Sequence, residues 1–490
     1  MISITRRLAF QLRTILRRAF GTRGPGPAVC FTAAAGTLNV KARFGDMAVE
    51  YTEPAKHPAE TLWLPFQALS DFEGKKDDPV ELAMADKGHV TAQWRDGNVP
   101  QIVRYDSEPS ADADKFPTLP EMFAENPSRL LQALADAGET CDPESVRFAL
   151  GYMLLRHDGT ISATDGRQLL VQSGFTFPWD DAVLLPRSKV FASADLPHDQ
   201  SVSIGKTGNW VAIGVGHWVI YQAINVDGRF PDVSRHIPQP AAATARCQFS
   251  PSDAEFLGQS LPRLPCDETY NFPITLDLNG SIAVRARASD QSKPTELVLS
   301  DSKWSGEPVR INTNRKYLAR ATKLGFRELL VYGNKVPVLC RDDHREYVWA
   351  LLDPDTTIAP AEDAIRIESP KANPEAPVTK PGAERKVSPV PQPVTNSNEN
   401  AASNGNGQPN GHAKTNGQAK VSGQSRNSAA RKSGQDIDGL IRQTEALRTS
   451  LRDTLLKTND LLTGLKQNRR VNRSLQTTLA SLKQLKSLGV

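Results

Sequence analysis

Apolar and polar residues alternate in many short stretches along the first 360 positions of this 490-residue chain. A period of two predicts half-buried β-strands, because successive side chains of a strand point to opposite faces. Gly36, Gly159 and Gly280 each lie between two such stretches, which indicates a hairpin turn at each glycine. Their spacings of 123 and 121 residues predict a unit that occurs three times.

A helical period of apolar positions appears twice in each unit. At the start of the units it predicts helices at 5–20, 128–137 and 252–259. In the second half of the first two units, a short strand runs through Pro65 or Pro186 into a further helix, and proline is tolerated in a first helical turn. In the third unit the corresponding helix is predicted at 313–324.

Each unit is expected to end in a hairpin, at 89–105, 210–224 and 336–352. The predicted fold class is therefore α+β, with two helices packed on antiparallel sheet in each of three repeated domains. The domains are expected at 1–120, 121–240 and 241–358. An ordinary multidomain α+β protein without homologous repeats is the alternative.

The composition changes near residue 360. Residues 359–435 form a linker dense in Pro, Asn, Gly, Gln and Ser, which cannot offset its chain entropy by burial and is predicted to be disordered. In residues 436–490 leucines recur in heptad steps, which predicts a basic helix that forms a coiled coil or remains a lone, weakly helical tail.

Charge is distributed unevenly along the chain. The net charge is +4, but residues after 360 hold 20 Lys/Arg against 11 Asp/Glu, and the first 360 residues hold 39 against 44. An acidic body with a basic tail is thus expected. Residues 4–20 contain five arginines and no acid, which is typical of an organelle transit peptide or of a docked amphipathic helix with a basic outer face.

Enzyme chemistry finds little support in the residues. The five cysteines are scattered, as in a reducing cytoplasm, and no apolar run approaches the length of a membrane span. The stretch Gly205-Lys206-Thr207 lacks the upstream glycine of a phosphate loop, and the histidines form no metal-ligand set. Asp165 and Asp232 each precede or follow a turn and are interpreted as turn residues rather than as a catalytic pair. No cofactor or metal is predicted.

Several phrases, in the right order and spacing, resemble those of the bacterial DNA polymerase III beta subunit, the sliding clamp. They are Phe116-Pro117-Thr118-Leu119-Pro120, Ser162-Ala163-Thr164-Asp165-Gly166-Arg167-Gln168-Leu169, Asn225-Val226-Asp227-Gly228-Arg229-Phe230-Pro231-Asp232-Val233-Ser234-Arg235-His236-Ile237-Pro238, Asn314-Arg315-Lys316-Tyr317-Leu318 and Val336-Pro337-Val338-Leu339 with Tyr347-Val348. The resemblance covers residues 1–355.

The resemblance implies a head-to-tail homodimeric ring that encircles double-stranded DNA without sequence preference. Such a ring confers processivity on a DNA polymerase catalytic subunit, is placed on DNA by a clamp loader, and has no catalytic residues; a bacterial cytoplasmic location follows. The alternative is a clamp-derived peptide-binding scaffold or accessory paralogue without a replicative role.

In the family, helices line the DNA hole, so basic helical residues are expected to face phosphates. The DNA-binding candidates are Arg6, Arg13, Arg17, Arg23, Arg187, Lys189, Arg315, Lys316, Arg320 and Lys323. For any one of these helices, a merely solvated basic face is the alternative.

The family also binds partner peptides in a pocket between its second and third domains. By position, the lining here is expected to comprise Thr164, Gly166, Arg167, Gln168, Leu169, Pro231, Arg235, His236, Val348, Ala350, Leu351 and Leu352. Two departures bear on its specificity: Arg167-Gln168 stands where the family usually has His-Arg, and the chain continues well beyond the family's usual end. An aliphatic peptide anchor still suits the apolar base.

Overall fold

A computed structural model describes residues 1–371, except 22–23, 87, 110–114, 143–148 and 268–269. The predicted basic helix at 436–490 and most of the predicted linker lie outside the described residues. Inside the predicted linker, residues 365–368 form a strand and Ser369 behind it is buried.

Within the first 120 positions, the residues that the structure describes form eight strands and two α-helices. They are β1 (Ile2–Thr5), α1 (Arg6–Phe20), β2 (Val29–Ala34), β3 (Thr37–Phe44), β4 (Met47–Pro54), β5 (Glu60–Leu64), α2 (Phe66–Phe72), β6 (Pro79–Asp86), β7 (His89–Asp96) and β8 (Val99–Asp106).

In the middle of the chain, the described residues repeat this order with a single α-helix. Its elements are β9 (Phe123–Asn126), α3 (Arg129–Thr140), β10 (Tyr152–Leu155), β11 (Ile161–Thr164), β12 (Gln168–Gln172), β13 (Val183–Pro186), β14 (Val202–Thr207), β15 (Trp210–Val215) and β16 (Trp218–Ala223).

The third part contains the order once more, with one added strand inside it and one after it. Its elements are β17 (Ala245–Gln248), α4 (Pro251–Ser260), β18 (Pro273–Asn279), β19 (Ser281–Ala286), β20 (Thr295–Leu299), β21 (Lys303–Gly306), β22 (Val309–Asn314), α5 (Arg315–Lys323), β23 (Glu328–Val331), β24 (Val338–Arg341), β25 (Arg345–Trp349) and β26 (Ile365–Glu368).

The strands form four sheets whose orders reveal the repeat. They are β1-β6-β7-β8, β5-β2-β3-β4-β16-β15-β14-β9, β13-β10-β11-β12-β25-β24-β23-β17-β21 and β22-β18-β19-β20-β26. The predicted turn glycines lie between β2 and β3, between β10 and β11, and between β18 and β19. At Gly159, with φ of +79°, an added Cβ would lie 2.0 Å from the carbonyl oxygen of Phe175, so only glycine fits there. The α+β fold class is confirmed; the positions of the domain boundaries stay predictions.

Helix α1 shows how the sequence pattern becomes packing. The hydroxyl of Thr5 accepts the amide of Leu8 at 3.0 Å and caps the helix, which ends at Gly21 in the left-handed conformation. Leu12, Ile15 and Leu16 are almost fully buried. Each such side chain stabilises the fold by about 1.5–3 kcal/mol, so α1 is a docked element of the core.

The second helix predicted for the middle unit is absent from the described residues. After Pro186 the chain forms only a three-residue 3₁₀ turn, Val190–Ala192. The hydroxyl of Ser188 accepts the amide of Val190 at 3.3 Å, which competes with helical hydrogen bonding. Pro197 further limits a helix, and burial of Phe191 anchors the turn instead. The prediction that Arg187 and Lys189 open a helix is therefore wrong.

The helices pack in one continuous row. Helix α2 contacts α1, α1 and α3 both contact the 3₁₀ turn, and α4 contacts α5. Two arginines connect neighbouring units within the row: Arg18 donates to the carbonyl of Ala192 at 3.0 Å, and Arg320 donates to the carbonyl of Asp136 at 2.7 Å. None of the helices in the part of the chain that the structure describes is both long and apolar enough to cross a bilayer.

Candidate functional site

A groove of about 470 Å³ opens beside the pairing of β12 with β25. Most of the residues expected in a partner pocket line it, namely Thr164, Gly166, Arg167, Gln168, Leu169, Pro231, His236, Val348 and Ala350. Four residues that were not among the expected pocket residues complete the lining: Leu150, Asp232, Val233 and Pro337. Asp232 and Val233 belong to the same phrase as Pro231, and Pro337 belongs to the phrase Val336-Pro337-Val338-Leu339, whereas Leu150 carried no local signal.

Three expected residues do not line the groove. Arg235 points into solvent with its side chain 86 % exposed, at 3.5 Å from the carboxylate of Asp232. Leu351 packs against the core of the third unit, and the amide of Leu352 donates to the carbonyl of Asn312 at 2.8 Å. Because β25 ends at Trp349, the chain leaves the groove directly after Ala350. The assignments of Arg235, Leu351 and Leu352 to the pocket are therefore wrong.

The turn between β11 and β12 is held rigid by its own side chains. One carboxylate oxygen of Asp165 accepts the amides of Arg167 at 2.8 Å and Gln168 at 2.9 Å. The hydroxyl of Thr164 accepts the amide of Gly166 at 3.0 Å and donates to the carbonyl of Gln168 at 2.6 Å. Gly166 has φ of +87°. Asp165 thus serves the turn, and this wall of the groove is preorganised.

The base of the groove is a small apolar cluster of its own. Leu169, Val233 and Val348 meet there with Leu330 and Leu339. All five are nearly or fully buried, while the groove above them stays open. Such a surface accepts an aliphatic or aromatic side chain from a partner.

Polar groups hold the two neighbouring strands and the mouth of the groove. The buried hydroxyl of Tyr347 donates to the side-chain oxygen of Gln168 at 2.5 Å, and burial raises the pKa of this tyrosine. The guanidinium of Arg167 lies over the ring of Tyr270 at 4.4 Å and donates to Asn271 at 3.2 Å. Gln168 therefore has a structural task that explains its place in this sequence.

The rim carries charge of both signs. Asp232 accepts the hydroxyl of Ser234 at 2.6 Å, and this hydrogen bond lowers the pKa of its carboxyl. The carboxylate is therefore ionised at neutral pH, and His236 and Arg167 line the same groove. A peptide with an apolar anchor and polar flanks matches this arrangement.

The structure divides the predicted DNA-binding residues into buried and exposed groups. Arg315 is only 3 % exposed, and its guanidinium donates to the carbonyls of Leu261, Leu264, Pro265, Phe272 and Pro273. Burial lowers the pKa of this arginine. Its assignment to a DNA surface is wrong, because the carbonyls that surround it are out of reach of a phosphate.

Three further arginines are committed to contacts within the protein. Arg6 donates to the carbonyls of Phe72 and Glu73 and pairs with Asp96 at 3.3 Å. Arg13 pairs with Glu73, so both arginines fasten α1 to the end of α2. Arg320 pairs with Glu139 at 3.1 Å in addition to its bond across the row. Their side chains are only 14–17 % exposed, which does not fit a freely presented basic face.

The remaining candidates differ in exposure. Arg17, Lys189, Lys316 and Lys323 are exposed along the row of helices, and Lys316 also lies 3.7 Å from the ring centre of Phe272. Arg187 is half-buried against α3, and Arg23 lies outside the described residues. The four exposed cations lie on α1, beside the 3₁₀ turn and on α5, so they are spread over all three units.

Comparison with known proteins agrees with these features. No protein-family model matches the chain. The beta sliding clamp of Vibrio cholerae is 30 % identical over 186 residues, which are 36 % of this chain and 48 % of the relative. The beta sliding clamp of Proteus mirabilis is 27 % identical over 222 residues, which are 42 % of this chain and 58 % of the relative. The matching sequence thus spans about half the length of these relatives.

Solved structures show the same fold at lower identity. A sliding clamp from Pseudomonas aeruginosa bound to griselimycin has a TM-score of 0.60 and 18 % identity, over 72 % of this chain and 99 % of that chain. A sliding clamp from Bacillus subtilis has a TM-score of 0.59 and 17 % identity, over 72 % and 98 %. The three-unit architecture is therefore that of the DNA polymerase sliding clamps. By sequence as well, the matched segments are similar to those of beta sliding clamps.

Proposed function

We propose that this protein is a sliding clamp that acts in DNA replication in the bacterial cytoplasm. Two copies form a head-to-tail ring around duplex DNA, a clamp loader places the ring, and a DNA polymerase binds it through a peptide. The observation that carries the proposal is the extent of the shared fold, which covers 99 % of a solved clamp chain. Its contribution is topological, so it needs no catalytic group of its own.

The row of helices supports the DNA side of the proposal. Arg17, Lys189, Lys316 and Lys323 present exposed cationic side chains along this row, as contact with a phosphate backbone requires. Cations of this kind attract DNA of any sequence, and the attraction weakens as the salt concentration rises. A ring that slides needs such loose contacts rather than buried pairs.

Retention on circular DNA tests encirclement directly. Purified protein is loaded by a clamp loader onto nicked circular DNA at moderate salt, and half of the sample is then linearised. Retention on the circle with escape from the linear form is expected, because a closed ring leaves DNA only over an end. Equal loss from both forms would contradict encirclement.

Charge reversal tests which cations face DNA. The four exposed cations are changed to Glu in one variant, and Lys56 and Lys206, exposed on loop and strand, are changed to Glu in a control. The first variant is expected to load poorly and to bind DNA with a flatter salt dependence, since each lost phosphate contact removes about 0.9 from the slope. An equal effect of the control would refute the assignment.

The groove supports the partner side of the proposal. Ala350→Phe places a ring in the groove mouth, whereas the neighbouring Arg235→Ala changes a side chain outside it. We expect the first change to weaken binding of a polymerase-derived peptide by at least about tenfold, which corresponds to about 1.4 kcal/mol, and the second to change it little. Fluorescence anisotropy with the labelled peptide measures both dissociation constants. A stronger effect of Arg235→Ala would place the peptide site outside the groove.

A clamp-derived peptide-binding scaffold that does not encircle DNA is the second candidate. It is favoured by one observation: Arg6, Arg13, Arg315 and Arg320 are all engaged inside the protein. Full peptide binding together with salt-sensitive retention that does not depend on DNA topology would select this function over the first.

A further inference from the structure

The two junctions between units follow one rule of strand pairing. Each unit contains a three-stranded meander and ends in a hairpin. The third meander strand of the first unit, β4, pairs antiparallel with the last hairpin strand of the second unit, β16. In the same way, β12 of the second unit pairs antiparallel with β25 of the third. Edge-to-edge pairing of equivalent strands therefore joins unit to unit.

Applied once more, the rule identifies the two strands left over. The third meander strand of the last unit is β20, and the last hairpin strand of the first unit is β8. Strand β8 ends its sheet, and its residues Val99 and Ile102 are 59 % and 68 % exposed. Within one chain these strands have no following or preceding unit. A second copy of this chain would supply β8 to β20 and complete the series.

Strand β20, however, already has a neighbour from its own chain. Strand β26 pairs with it in parallel, with Thr295 opposite Ile365 and Val298 opposite Glu368. The amide of Ile365 donates to the carbonyl of Pro294 at 2.9 Å, and the amide of Ser369 donates to that of Val298 at 2.9 Å. The backbone positions that the repeat reserves for another unit are thus occupied.

The attachment of β26 combines specific polar contacts with little apolar burial. Arg366 donates to the buried carboxylate of Glu296 at 3.0 Å, and Ser369 donates to that of Asp253. In contrast, Ile365 and Ile367 remain 54 % and 44 % exposed. A short parallel edge strand that buries so little is recognised accurately but held weakly.

We propose that residues 365–369 are a strap that competes with β8 of a second copy for the edge of β20. Ring closure then requires the strap to dissociate from β20. At each edge, binding of the second copy is therefore coupled to dissociation of the strap. This inference rests on the proposed clamp function, because the competing partner is the second copy of the ring. It adds a control of assembly that the family resemblance does not imply, since the strap lies beyond the part that resembles the clamps.

The expected size of the effect follows from population arithmetic. If the strap occupies β20 in about nine of ten molecules, one edge is available to a partner about tenfold less often. A closed ring needs both edges, so its dissociation constant rises by about a hundredfold. Release of the strap should lower the dimer dissociation constant by the same factor.

Replacement of Ile367 by proline is the releasing variant. The amides of Ile365 and Ser369 point to β20, and strand amides alternate, so that of Ile367 points there too. Proline removes this donor, whereas the control Ile367→Val keeps the amide and the β-branched side chain. Sedimentation velocity of the full chain over a range of concentrations should show about hundredfold tighter dimers for Ile367→Pro and no change for Ile367→Val.

A reversible lock gives the opposite perturbation. Thr295 and Ile365 are opposite each other, and paired strands lie at a distance that a disulfide can span. The double variant Thr295→Cys, Ile365→Cys should be monomeric when oxidised and should regain dimerisation when reduced. Each single cysteine variant, treated in the same way, controls for the oxidation itself.

The outcomes separate the strap from the clamp function. Dimers that form equally well in wild type, Ile367→Pro and the oxidised lock would overturn the strap and leave the ring intact. Loss of dimers in Ile367→Pro would also overturn the strap, because it would mean that β8 binds to the outer edge of β26 rather than to β20. Monomers in every variant, with no topological retention on DNA, would overturn the proposed ring and the strap together.

Discussion

Removal of the Arg315 guanidinium tests whether this residue serves the fold or DNA. The side chain reaches five backbone carbonyls from the segment that follows α4, and the bonds to Leu264 and Pro265 are the short ones. Hydrogen bonds to a charged donor contribute about 1.5–3 kcal/mol each. With the three bonds at 3.4–3.5 Å counted as minor, Arg315→Ala should cost about 3–5 kcal/mol of unfolding free energy.

Arg315→Lys provides the matched comparison. Lysine keeps the positive charge but has no fork of five donors, so it should recover about half of the loss. Urea unfolding followed by tryptophan fluorescence measures this, because Trp304 and Trp349 report on the third unit. Wild-type stability of Arg315→Ala, combined with reduced retention on circular DNA, would refute the structural role and return this residue to the DNA surface.

Three further predictions concern backbone fit, the helix row and pH. Gly159→Ala should cost at least about 2 kcal/mol more than Gly36→Ala, because both glycines have positive φ but only the first would collide with a neighbouring carbonyl; thermal unfolding measures the difference. Arg320→Ala should destabilise the protein by about 1–3 kcal/mol, whereas the exposed Lys323→Ala should cost less than about 0.5; equal values from urea unfolding would contradict the cross-row contact. Burial alone would raise the pKa of the Asp253 carboxyl, but its hydrogen bonds outweigh burial and lower the pKa below 3.8. The ionised carboxylate therefore stabilises the fold fully above pH 3.8, and this stabilisation is lost as pH falls through the lowered pKa. The stability gap between wild type and Asp253→Asn should therefore stay constant above the ordinary carboxyl pKa and shrink as pH falls below 3.8, and a gap that widens there would reverse the sign of the argument.

The periodic part of the fold could be predicted because its cause is local. Alternation of side chains and a glycine with positive φ locate a hairpin within a few residues, as at Gly36 and Gly159. The same periodicity wrongly predicted a helix after Pro186. Its apolar residues suit a helix, but the hydroxyl of Ser188 and the ring of Pro197 favour a turn, and buried contacts decide between the two.

The groove could be predicted where its lining residues share a phrase, and not where they come from elsewhere in the chain. Thr164 to Leu169 lie in one tight turn, so that finding one residue locates the others. Leu150 reaches the groove through tertiary packing alone, and Pro337 belongs to a separate phrase whose place at the groove its own sequence does not reveal. Arg235 shows the converse: adjacency to Pro231 in sequence does not determine the direction in which its side chain points.

The basic residues mark the physical limit of the helical wheel. A wheel gives the angle of a side chain around its own helix but not the groups that stand opposite. Arg6, Arg13 and Arg17 share one face of α1. Arg6 binds two carbonyls at the end of α2 and Arg13 pairs with Glu73, whereas Arg17 remains exposed. Arginines that look equivalent in sequence therefore divide into those that hold the fold together and those that face solvent. Only the solvent-facing part is available to attract DNA, which is why the exposed cations, rather than those engaged inside the protein, should determine the salt dependence of DNA binding.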